Sequence, residues 1–178
     1  MPVKLQILLC VIALSPYVLG QHTPMPAGMS HEEHMKQMNH DAEMKKRGDA
    51  AMGFDQDKVS HHFYLTRAGG IIEVGVNLHS DDATRNQIRA HLKAIAKEFA
   101  VGVFNSPIAT HAEMPPGAAA MRERKARITY TYEETPAGAH VVIKTKDRGA
   151  LIAVHDFLKY QIREHKTGDP ILVQPAGR

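Results

Sequence analysis

The sequence predicts an α+β fold in which two ββα units build one four-stranded antiparallel sheet with two long helices on one face. Three observations carry that expectation. Apolar residues alternate at period two in two pairs of short segments, and each pair is followed by a segment with apolar residues at helical spacing. The same order occurs twice along the chain. Neither unit is large enough to bury its own apolar face, so the two are expected to share a sheet. The layout expected is a permuted ferredoxin-like one.

The first unit, 61–101, opens at His61, where Phe63 and Leu65 alternate with Tyr64 and Thr66. Ala68-Gly69-Gly70 turns the chain into Ile72, Val74 and Val76, which makes a β-hairpin. Asp81 or Asp82 then caps a helix in which Ile88, Leu92, Ile95 and Phe99 recur at i, i+4, i+7 and i+11. A Pro- and Gly-bearing connection follows, with a helical turn around 118–124. In the second unit, 127–165, Ile128, Tyr130 and Tyr132 alternate with threonines, Pro136-Ala137-Gly138 turns, and Val141 and Ile143 return. A helix carrying Leu151, His155, Leu158 and Ile162 completes it. Together the units make one domain over 59–166, with a flexible tail over 167–178. Their common order suggests an internal repeat.

The first 20 residues read as a secretory signal peptide: Lys4, an apolar run from Leu5 to Leu14, a break at Ser15-Pro16, and Val18-Leu19-Gly20 before a cut. The run is shorter than the roughly 20 apolar residues of a spanning helix. The expected product is periplasmic or secreted, with no membrane attachment after cleavage. Cys10, the only cysteine of the 178 residues, leaves with the leader, so the mature chain has neither disulfide nor thiolate. The charges, 22 basic against 19 acidic, are dispersed and offer no nucleic-acid patch.

Between leader and domain, 21–58 is a polar arm with few aliphatic residues. Ser30 and Glu33 form a capping box, so a short helix is expected from His31 towards Arg47. This arm holds the strongest chemical signal, Met-Ser-His-Glu-Glu-His-Met-Lys-Gln-Met-Asn-His over 29–40, followed by Met44. On a helix His31, Met35 and Met38 fall at i, i+4 and i+7 with His34 beside them. Thioethers are soft ligands suited to Cu(I) or Ag(I), and imidazole accepts both copper oxidation states and zinc. The candidate metal ligands are therefore His31, His34, Met35, Met38, His40 and Met44, with a copper ion as the expected cofactor.

That segment resembles the Met- and His-rich stretches of bacterial periplasmic copper- and silver-binding proteins. The resemblance covers 31–44 and implies metal buffering or delivery to an efflux system. It brings no family for the body. The alternative is a structural or protein-interaction module of the periplasm, whose methionines dock on a protein partner rather than hold a metal.

Other histidines are weaker candidates. His61 has the parity of the core residues Phe63 and Leu65, and His62 that of the open sheet face. His91 borders one apolar stripe and His155 lies inside the other, where a histidine is expected to be a hydrogen-bonded core residue. His111 and Met114 fall in a connection that is expected to be a surface loop. No motif for a catalytic serine, zinc protease, phosphate loop, dinucleotide or haem occurs, so no residue set names a reaction and an enzyme stays the third reading.

Overall fold

The computed structural model describes residues 28–173. The leader over 1–20 and the end of the tail lie outside the described residues. The chain runs α1 (His31–Met52), β1 (Val59–Thr66), β2 (Gly69–Val76), α2 (Asp82–Ala100), α3 (Asn105–His111), α4 (Ala118–Glu123), β3 (Ile128–Glu134), β4 (Gly138–Thr145) and α5 (Arg148–Glu164). The fold is α+β, as expected.

The four strands form one antiparallel sheet in the order β1-β2-β4-β3. Period-two alternation decides which face is buried. Phe63, Ile72, Val141 and Tyr132 lie in one cross-strand row, and Leu65, Gly70, Ile143 and Tyr130 in the next. This face takes both long helices, α2 over β3 and β4 and α5 over β1 and β2. Each helix thus covers the hairpin of the other unit, and the two units close one core. Phe99, Phe104 and Phe157 meet at its centre, with centroids 4.4 to 6.0 Å apart. The Asp81 and Asp147 side chains cap α2 and α5 by accepting from the N–H groups of Thr84 and Ala150. At Gly70 a β-carbon would strike Leu158 and the Tyr64 carbonyl, so this row needs a glycine under α5.

The arm differs from the expectation in length and placement. Ser30 and Glu33 form the capping box, but α1 runs past Arg47 to Met52 and ends at Gly53, whose φ is 80°. The helix packs on α3. Arg47 Nε donates to the Thr110 carbonyl at 3.0 Å, Lys166 pairs with Asp41, and Met44 and Phe54 are buried. What extends the helix is tertiary: a sequence poor in aliphatics still supplies one inward stripe, with Met44 and Gly48 buried and Met52 partly buried against the core.

Candidate functional site

The six candidate ligands on α1 divide between two sides of the helix. At about 100° per residue, His31, His34, Met35 and Met38 fall within roughly one third of the circumference, while His40 and Met44 lie about 180° and 220° round from His31. Met35 and Met38 are 43% and 41% exposed, whereas Met44 is 7% exposed against the body. His40 Nε2 lies 3.1 Å from Glu164 Oε2. Among the described residues no three His, Cys, Asp or Glu side chains stand close enough to hold one metal ion.

A second cluster of histidines, which the sequence shows only as scattered single residues, meets at a cavity of about 60 Å³. His61 of β1, His91 of α2, His111 at the end of α3 and His165 just past α5 line it, with Met52 of α1 and Gln161 of α5. Apolar core side chains together with Ser106 and Thr110 of α3 make up the rest of the wall. The His61 and His165 rings stack with centroids 5.2 Å apart and planes 17° apart. His111 meets His165 edge-on at 5.2 Å, and His91 meets Phe54 edge-on at 5.6 Å.

Each ring arrives by ordinary local rules. Strand alternation turns His61 inward with Phe63 and Leu65. His91 directly precedes Leu92 on the apolar stripe of α2, and His165 stands three residues beyond Ile162 on that of α5. His111 is the correction: expected in a surface loop, it closes α3 and is 5% exposed. Pro107 sits in the first turn of α3, where its missing N–H costs nothing, so it does not break the helix.

The chain after α5 is fastened so that His165 stays over His61. The Asp169 carboxylate accepts the Phe63 N–H at 2.9 Å, on the outer edge of β1, and lies 3.0 Å from His62 Nδ1. Asp169 belongs to the stretch expected to form a flexible tail. On the outer side of this clasp, His61, His62, His165 and Thr167 line an open polar cleft of about 290 Å³. His61 and His165 therefore line both cavities.

Burial sets the charge state of the cluster. It pushes His61 down to about 4, with His91 and then His62 adding repulsion, and His91 down to about 4. His165 is pushed down to about 3 by burial and by its neighbours His61 and His111. Burial also lowers His111, against the opposing hydrogen bond to Gln161. All four rings are neutral at physiological pH.

Neutrality fixes what the free nitrogens offer. His111 Nε2 donates to Gln161 Oε1 at 3.0 Å, so in a neutral ring Nδ1 keeps its lone pair. That Nδ1, His61 Nε2 and Gln161 Nε2 are buried without a partner among the described residues. Each such atom left without a partner costs about 1–3 kcal/mol. His155, by contrast, is the hydrogen-bonded core histidine expected of its stripe: Nε2 reaches the carbonyls of Thr66 and Gly69 at 2.9 and 3.0 Å.

Among the described residues no helix is long and apolar enough to cross a membrane. Comparison of the chain with protein-family models, curated proteins and solved structures gives no match, so the site's own chemistry has to carry the functional argument.

Proposed function

We propose that the protein is an exported metal-handling protein that buffers or delivers a soft ion of the Cu(I) or Ag(I) class, with its holding site in the histidine-walled cavity. The observation carrying this reading is the pair of buried imidazole nitrogens without a hydrogen-bond partner, His61 Nε2 and His111 Nδ1, on residues that line one cavity. Transition metals bind the neutral form of imidazole, and burial keeps these rings neutral. The Gln161 oxygen on His111 Nε2 acts as an outer-shell acceptor does at metal sites, aiming the other ring nitrogen inward. Since no three imidazoles converge on one point, the ion is held by two of them with the Met52 thioether as the remaining donor. The outward face of α1, with His31, His34, Met35 and Met38, is the capture surface, and the same helix brings Met52 to the cavity.

Titration with Cu(I) against a competing chelator tests the reading. His61→Ala with His111→Ala is expected to lower the affinity at least tenfold. Replacing His31, His34, Met35 and Met38 is expected to slow loading while leaving the affinity of the tightest site in place. Wild-type protein that fails to compete for Cu(I) overturns the reading. The exposed thioethers Met35 and Met38 also suit a protein-docking face, and that alternative predicts partner capture that survives metal chelation.

A further inference from the structure

The sheet face opposite α2 and α5 carries a pattern of its own. Register places His62, Glu73, His140 and Glu133 in one row across all four strands, with imidazole and carboxylate alternating. His140 Nε2 lies 3.0 Å from Glu133, and His140 Nδ1 lies 3.9 Å from Glu73. The next row is Tyr64, Ile71, Val142 and Thr131, and beyond it come Thr66, Gly69, Lys144 and Thr129. Ile71 and Val142, at the middle of this face, are only half-buried. No helix of the described residues lies over it, since α2 and α5 cover the other side and α1 packs on α3.

We propose that this face is the interface of a homodimer, formed by two copies packed sheet on sheet about a twofold axis parallel to the strands. Self-complementarity carries the choice of a second copy. Such an axis reverses the strand order of the partner, so β1 lies over the partner's β3 and β2 over the partner's β4. His62 then faces Glu133 of the other copy, and Glu73 faces His140. Ile71 lies on Val142, Tyr64 on Thr131, and Lys144 on Gly69. Every carboxylate of the row meets an imidazole, and the centre is apolar. The other in-plane axis lays each strand on its own copy: run through the charged row it sets Glu73 on Glu73, and run through the apolar row it sets His140 on Lys144, so neither position pairs a carboxylate with an imidazole. An isologous contact of this kind needs no other surface to close.

The dimension is adequate. Four strands about 4.8 Å apart and about eight residues long at roughly 3.3 Å per residue give a face of about 500 Å² per copy. Two copies bury about 1,000 Å², near the lower bound of specific interfaces, so a reversible dimer is expected. Aligned sheets of this type pack about 10 Å apart with side chains interdigitating.

Sedimentation of the full chain across a range of concentrations tests the dimer. The expected result is a concentration-dependent rise towards twice the 19.7 kDa chain mass. Val142→Asp is expected to abolish that rise while the circular dichroism spectrum stays unchanged, because the substitution lies outside the core. Wild-type protein that remains monomeric at the highest concentration overturns the proposal, as does a folded Val142→Asp variant that still dimerises. The axis is read separately by cross-linking in a Cys10→Ser background. A short bis-maleimide is expected to join Thr66→Cys chains to Thr129→Cys chains when the two are mixed, and not to join Thr66→Cys chains to each other, because these positions lie on the two outer strands. Self-linking of Thr66→Cys with no mixed product overturns the assigned axis.

Discussion

Acidifying the metal-free protein from about pH 7 to about pH 5 is expected to destabilise it before its carboxylates titrate, and the loss follows from three rings. His61 and His91 are held near 4 and His165 near 3, against an ordinary value of 6.5. The sign follows from linkage. Above 6.5 neither state is protonated and these rings do not affect stability. Below it the unfolded chain takes up protons that the folded state refuses, so stability falls with falling pH until the folded values are reached. At about pH 5 unfolding takes up between two and three protons on these rings, and each ring costs about 2 kcal/mol by the same relation. The residues are half-buried as wholes although His61 Nε2 is sealed off. Halving for solvent screening leaves about 1 kcal/mol per ring, or about 3 kcal/mol together. The caps act elsewhere in pH: accepting the Thr84 and Ala150 N–H groups lowers Asp81 and Asp147, so their contributions are lost only well below this window. Urea unfolding of chelator-treated protein, followed by circular dichroism at the two pH values, measures the difference. His165→Phe keeps a ring in the stack without the proton and is expected to remove about one third of the acid loss. An unfolding free energy equal at the two pH values would refute the account of buried neutral histidines.

Two substitutions separate the structural histidine from the functional ones. His155→Ala leaves the Thr66 and Gly69 carbonyls at the β1–β2 turn without their donor, and a loss of about 1–2 kcal/mol is expected in urea unfolding, with no effect on Cu(I) affinity. His61→Phe replaces an unpartnered buried nitrogen with an apolar ring beside Phe54 and Phe63, so the metal-free protein is expected to gain about 1 kcal/mol while Cu(I) affinity falls. A large destabilisation by His61→Phe would show that the ring is there to hold the fold.

The sheet and its helices were legible because they rest on short-range periodicity. Phe63 and Leu65, Ile72 and Val74, and the stripes of α2 and α5 each state their burial in the local pattern. The length of α1 was not legible, since what carries it past Arg47 is burial of Met44 and Gly48 against the body rather than any signal within the helix. The cluster was half legible. His61 has core parity, and His165 continues the stripe of Ile162, but nothing local says that strand, helix ends and α3 bring their rings to one cavity. His111 was hidden further by Pro107, which reads as a loop residue and proves to be a first-turn proline. The rule that adjacent strand residues face opposite ways did separate His61 from His62. One ring lines the cavity, and the other is tied to Asp169 on the outer side.

That separation also explains why a docked α1 suits the proposed chemistry better than a free arm would. A mobile segment offers thioethers and imidazoles without order, and each ligand fixed on binding loses rotamer freedom. Here the helix is already formed, capped by Ser30 and anchored through Arg47, so the entropy of ordering His31, His34, Met35 and Met38 has been met by folding. The body supplies the complementary half: rings kept neutral by burial and fixed by stacking, with unpartnered nitrogens that lower the stability of the empty state. On the proposed function, an ion bound there partners His61 Nε2 and His111 Nδ1 and stabilises the folded chain by mass action. In the proposed function, capture at the solvent-facing side of α1 and retention at the histidine cluster belong to one element, since the helix that carries the thioethers outside also lines the cavity with Met52.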